Sequence, residues 1–152
     1  MAMLSNFDLI RRVRLFSMLT PEQAQTVANS VSKRRFKRGE MLVEQGGQPN
    51  ALFILLNGRA RVLTADGRGR EVIMAVLGAG DYVGEMSLID GEPASATVRC
   101  EAPTDVLVLG RMEFARCLPE PNSMAYGILR GLVARLRNAD RQIESLALLD
   151  VY

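Results

Sequence analysis

Histidine is missing from this 152-residue chain, and so is tryptophan. Without an imidazole there is no His-held metal, no Ser-His-Asp or Cys-His nucleophile pair and no histidine general base, which removes most common hydrolytic chemistry. Cysteine is nearly as scarce, with only Cys100 and Cys117 present. They stand in no metal-like spacing, cannot supply the thiolates of an iron–sulfur cluster, and read as buried or idle thiols of a reducing compartment. With the commonest haem ligand also gone, a redox or gas sensor is disfavoured. Long apolar runs are lacking as well. Even a run such as Ala51 to Leu56, which none exceeds in length, falls far short of a membrane span, and the N-terminus has no basic segment followed by an apolar stretch and a cleavage site. The expectation is a cytoplasmic protein with no membrane partner. A dominant charge is absent too, since 19 Lys and Arg against 17 Asp and Glu leave a net +2. That balance neither implies nor excludes a nucleic-acid surface.

What is present is an apolar content of 48%, enough for one core and too little chain for a second. A single domain over 1–152 is expected, with a helical lead-in over 1–32, a barrel over 33–110 and helices over 111–149. Thr20, Pro21 and Gln23 form a helix start, with Thr20 as N-cap, proline at the first helical position and Gln23 closing a capping box. The helix runs to about Val31. Upstream, Leu9 to Phe16 has apolar residues at roughly helical spacing.

From Lys33 to about Leu109 glycines recur between short β-rich runs, the texture of a sandwich or barrel. Candidate strands are Met41 to Glu44, Ala51 to Leu56, Arg59 to Thr64, Glu71 to Val76, Ala96 to Cys100 and Asp105 to Gly110, with Asp66-Gly67 as a hairpin turn between the third and fourth. The fold class is therefore mainly β with flanking helices, an antiparallel double-stranded β-helix or jelly roll. The basic run Lys33 to Arg38 lies in a strand leading into a glycine turn and reads as a solvated face rather than a nucleic-acid patch.

After Arg111 a short helix over Met112 to Cys117 is followed, past Pro119 and Pro121, by a long one from about Ser123. Its residues Leu129, Leu132, Leu136, Ala139, Ile143 and Leu146 succeed one another at steps of 3, 4, 3, 4 and 3, the seam spacing of a coiled coil. Such a stripe either docks on the barrel or meets a second copy. Because Ile128, Val133 and Leu148 are further apolar residues able to hold the barrel, a homodimer is expected, with this as the dimerisation helix.

Most information lies between Gly80 and Val98. A Gly84-Glu85 turn opens a short helix, and Gly91, Glu92 and Pro93 return the chain into a strand of small residues. Free N–H groups at such a helix start form an anion site. Asp81, Glu85, Asp90 and Glu92 include no pair with the marks of acid–base catalysis, and of these only Glu85 has a clear structural place.

This stretch resembles the phosphate-binding cassette of cyclic-nucleotide-binding domains. The likeness extends through Leu15-Phe16 to Glu22, Arg38-Gly39-Glu40, Glu44-Gln45-Gly46 and the hairpin from Leu52 to Val62. The ending from Ser145 to Tyr152 resembles the hinge of the catabolite-activator and FNR (Crp/Fnr) class of bacterial transcription regulators. In that class a helix-turn-helix domain follows, so the resemblance implies DNA contact only through a domain absent from this chain. It implies a small-molecule effector, a cyclic nucleotide such as cyclic AMP, cyclic GMP or cyclic di-GMP. The ligand-binding positions it implies are Gly84, Glu85, Met86, Ala94, Ser95 and Ala96, with Arg135, Ala139 and Asp140 on the long helix. Glu85 would accept from a ribose hydroxyl, and Ser95 and Ala96 would flank the phosphate.

The sequence departs from that family where an arginine grips the phosphate, because Ala94 stands there. A charge-assisted hydrogen bond contributes roughly 1.5–3 kcal/mol, about tenfold to more than a hundredfold in affinity. Ala139 and Asp140 likewise replace the hydroxyl side chains that meet the base. Three explanations stand: another cation such as Arg61, Arg99 or Arg135 takes over, the ligand is different, or the pocket is vestigial. An enzyme of the cupin type would need His ligands and is not expected; a stand-alone regulatory subunit acting on a protein partner is a further alternative.

Overall fold

A computed structural model describes residues 4–150, with side chains described to 148. Residues 151 and 152, which end the hinge-like segment, lie outside the described residues. Two capping boxes organise the helical lead-in. In α1 (Asn6–Arg12) the Asp8 N–H donates to Ser5 Oγ at 3.1 Å. In α2 (Pro21–Ser30) the Gln23 N–H donates to Thr20 Oγ1 at 3.2 Å and the Thr20 N–H to Gln23 Oε1 at 3.0 Å, as the sequence predicts. A short 3-10 turn, Arg14–Phe16, joins them.

Eight strands follow: β1 (Val31–Phe36), β2 (Met41–Val43), β3 (Ala51–Leu55), β4 (Ala60–Ala65), β5 (Glu71–Leu77), β6 (Tyr82–Val83), β7 (Thr97–Cys100) and β8 (Thr104–Gly110). They form two four-stranded antiparallel sheets in the orders β1-β8-β3-β6 and β2-β7-β4-β5. The jelly roll expected from the glycine punctuation is therefore the observed architecture. Its first strand begins at Val31, just ahead of the expected start at Lys33, and β6, lying between Gly80 and Gly84, is an addition that no sequence pattern announces. The hairpin between β4 and β5 is wider than an Asp66-Gly67 turn. Asp66 Oδ1 accepts from the N–H groups of Arg68 and Arg70, and the left-handed residue is Gly69.

β3 explains the long apolar run. Every one of its residues is buried, because the sheet is covered on both faces. Leu52 and Ile54 join Leu107 and Leu109 of β8 against Ile10, Phe16 and Val27 of the helices. Phe53 and Leu55 face the barrel interior with Val43, Val98 and Val106, where Phe36 and Phe53 stack edge to face at 6.1 Å. On β1 the residues from Ser32 to Arg35 are exposed, which makes the basic run a solvated face.

Among the described residues three further helices are present: α3 (Glu85–Asp90), α4 (Arg111–Arg116) and α5 (Met124–Asp150). Among the described residues of α5, Val133 is the one that is buried. Ile128, expected to join it against the barrel, is 58% exposed, since five residues place it more than a third of a turn away round the helix. The alternative of a stripe docked on the barrel is not what the structure shows. Leu132, Leu136, Ala139, Ile143 and Leu146 are exposed, and Leu129 is half-buried.

Candidate functional site

The site is built around one turn. Gly84 has φ of 99°, and a Cβ there would lie 2.6 Å from the Ala51 carbonyl oxygen, so only glycine lets α3 start against β3. The turn delivers Glu85 into a cleft. Its carboxylate accepts from its own backbone N–H, while Oε2 is buried with no hydrogen-bond partner. Burial raises the Glu85 pKa, Arg137 opposes that rise and Asp140 reinforces it. The carboxylate of Glu85 thus faces the N–H at the start of its own helix.

The loop that follows α3 is fixed on both sides. The Ala94 N–H donates to the Gly47 carbonyl and the Gly46 N–H to the Ala94 carbonyl, each at 2.8 Å. The Glu92 N–H donates to Asp90 Oδ1 at 2.9 Å. The result is a cavity of about 210 Å³ that brings together Gly84, Glu85, Met86, Ala94, Ser95, Ala96 and Asp140. Arg135 and Ala139 are exposed on α5 and do not line it. Arg135 lies two residues from Arg137, which turns it to the opposite side of the helix, and Ala139 belongs to the exposed seam. Nor do the other two candidate cations reach the cavity. Arg61 is ion-paired with Glu101, and Arg99 with Glu71 at 3.3 Å.

The cation that does line it, Arg137, was not singled out by sequence reasoning. Its guanidinium grips Asp90 in bidentate fashion, Nε to Oδ2 at 2.6 Å and Nη2 to Oδ1 at 3.0 Å, and also donates to the Pro93 carbonyl at 3.2 Å. Burial pushes the Asp90 pKa up, but the hydrogen bonds and charge of Arg137 outweigh it and hold the carboxyl below the ordinary range. Tyr126 adds a second tie between α5 and α3, donating its hydroxyl to the Ile89 carbonyl at 2.8 Å. A signal was available: Arg137 follows Val133 by one turn, on the face turned to the barrel.

Beside the cavity, and sharing Tyr82, Glu85 and Met86 with it, an apolar groove of about 470 Å³ runs under α5 past Leu52, Leu129 and Leu132. Among the described residues no three His, Cys, Asp or Glu are grouped as metal ligands, and no helix is long and apolar enough to cross a membrane.

Comparison with known proteins gives a consistent picture. Residues 33–120, more than half of the chain, match the family described as cyclic nucleotide-binding domain. The chain is 29% identical over 133 residues to the cyclic AMP receptor protein of Thermus thermophilus, covering 88% of this chain and 62% of that protein. It is 36% identical over 113 residues to a cGMP-dependent protein kinase of Toxoplasma gondii, covering 74% of this chain and 11% of the kinase. It therefore spans less than two thirds of either relative. The regulatory domain of Toxoplasma gondii PKA, co-crystallised with cAMP, superposes with a TM-score of 0.72 at 23% identity over 88% of this chain and 49% of that one.

Proposed function

Because this chain belongs to the cyclic nucleotide-binding domain family, we propose that it is the effector-sensing and dimerising part of a bacterial transcription regulator of the catabolite-activator class. The effector is a cyclic nucleotide or a related small anionic ligand, bound weakly or with altered specificity because Ala94 stands in the phosphate loop. Contact with DNA belongs to a further domain of the parent protein. The domain works in the cytoplasm as a binding module without catalysis.

The observation that carries this reading is the direct tie between the pocket and the long helix. Asp90 and Ile89 of α3 are bound to Arg137 and Tyr126 of α5, whose outer face is an apolar seam. A ligand accepted by Glu85 and seated against Ser95 biases the position of α3, and the clamp passes that bias to Leu136 and its neighbours at the dimer interface. Such coupling requires unequal ligand affinity for two arrangements of the helix, and the apolar groove beneath α5 leaves room for them. The similarity to the cyclic AMP receptor protein of Thermus thermophilus covers 88% of this chain and accords with this reading, and the regulatory domain of Toxoplasma gondii PKA superposes over the same share.

Isothermal titration with cyclic AMP, cyclic GMP and cyclic di-GMP, on the wild type and on Ala94→Arg, tests the proposal. At least one ligand is expected to bind the wild type, and Ala94→Arg is expected to strengthen cyclic mononucleotide binding by about tenfold or more. The second reading, a vestigial pocket in a ligand-independent interaction module, is favoured by the loss of the loop cation and predicts silence from both proteins.

A further inference from the structure

Away from the Glu85 cavity and the groove beside it, a hollow of about 420 Å³ lies between α1, β1 and the turns that follow β3 and β5. It shares no lining residue with either of those two. Its floor is apolar, made by Leu9 and Val13 of α1 and its cap and by Leu55 and Leu56 at the end of β3. Two cations stand beside that floor, Arg12 from the last turn of α1 and Lys33 from β1. Register explains how Lys33 arrives there. β1 pairs residue for residue with β8, Val31 opposite Leu109 and Arg35 opposite Asp105, so Val31, Lys33 and Arg35 share the sheet face that the helices cover.

The cations next to these two in sequence have partners. Arg11 donates to the Leu19 carbonyl at 2.8 Å, and Arg35 is ion-paired with Asp105 at 3.8 Å. Among the described residues no hydrogen bond or ion pair engages the Arg12 guanidinium or the Lys33 ammonium. The carboxylate that lines the hollow, Asp105, is held by Asn57 Nδ2 at 2.8 Å as well as by Arg35, so its charge is already answered. Two positive charges over four apolar side chains remain.

We infer that this hollow is a binding site for an amphipathic carboxylate, an organic acid whose apolar body covers the floor while its head group meets Arg12 and Lys33. Volume admits such a molecule, since small-molecule sites begin at roughly 300 Å³. The donors select the head group: a guanidinium presents a planar fork that takes a carboxylate by two parallel hydrogen bonds, and an ammonium adds a compact charge beside it. The floor selects the body. An inorganic anion would leave the leucines wet, whereas each methylene laid over them raises affinity by up to about fourfold. A neutral alcohol of the same length gains the floor and leaves both cations unanswered. The site is thus separate in position and in chemistry from the Glu85 cavity.

Titration of octanoate into the isotope-labelled full chain, followed by backbone amide shifts, tests the site. Saturating shifts are expected around Arg12, Lys33, Asn57 and Gly80, with butanoate and octanol each at least about tenfold weaker than octanoate. Arg12→Gln and Lys33→Gln should each weaken octanoate by about tenfold, the loss of one charge-assisted hydrogen bond. Both variants should keep the melting temperature of the wild type, because both side chains are exposed. Shifts confined to the apolar groove under α5, an affinity that neither substitution moves, or no saturation at millimolar octanoate overturns the inference. So does inorganic phosphate that binds as tightly as octanoate, which would make this a bare pair of cations. None of these outcomes touches the nucleotide cavity, whose own test is the titration with cyclic nucleotides.

Discussion

Glu85 keeps one carboxylate oxygen buried without a donor, and Asp140 stands close enough to raise its pKa further. An acid whose folded pKa is raised binds its proton better in the folded state. Its ionisation therefore removes stability as pH rises from the ordinary glutamate value through the raised one. Glu85→Gln is accordingly expected to stabilise the unliganded domain at pH 7 by on the order of 1 kcal/mol, an advantage that shrinks near pH 4, where the carboxyl is already protonated. Urea unfolding at the two pH values checks this, and an unchanged or lowered midpoint at pH 7 refutes it. The same variant should lose nucleotide affinity, which would mark Glu85 as a residue held for binding at the expense of stability. Asp90 has the opposite sign. Its lowered pKa contributes stability above the ordinary aspartate value, and that contribution is lost as pH falls through the lowered value.

Between α3 and α5 the Arg137–Asp90 pair is nearly enclosed, with side chains 11% and 10% exposed. Removing one member of such a pair leaves a poorly solvated charge, and Arg137→Gln is expected to cost about 3 kcal/mol. The loss should be local. Hydrogen exchange is expected to quicken in α3 and the middle of α5, while the amides pairing β1 with β8 keep their protection. Equal loss everywhere would mean that the clamp supports the whole fold rather than the attachment of one helix. Elements were legible in the sequence where local chemistry decides them, as at the Thr20–Gln23 box, the Gly84 turn and the strands set off by glycine. β6 was not, because two residues carry no periodicity, and its pairing with Phe53 and Ile54 is a tertiary choice. The cassette residues were legible through their pattern from Gly84 to Ala96. Arg137 escaped because its partner lies 47 positions away, a distance that no local rule spans.

For the molecule as a whole, the exposed seam from Leu132 to Leu146 is the surface on which the proposed second copy would sit. Light scattering should give twice the 16.7 kDa chain mass for the wild type and the single mass for Leu136→Asp, which sets a charge in the middle of the seam. A mass unaffected by the substitution would rule out this helix as the interface. The spacing of the seam was readable from the sequence, whereas which apolar residues turn toward the barrel was not, since Ile128 and Val133 look alike until packing separates them.

The pairing of the first strand with the last has a consequence for how the chain is made. Val31 finds its register opposite Leu109, so β1 stays without its hydrogen-bonding neighbour until nearly the whole barrel has left the ribosome. Contacts this distant in sequence close late and slowly, and they place the domain among slow-folding β topologies. The exposed lysine and arginines of β1 are well suited to that wait, because their mutual repulsion discourages the unpaired edge from joining the same strand of another nascent chain. Because α5 emerges only after the last barrel strand, the proposed pairing of two copies along its seam comes after every strand of the barrel has been made.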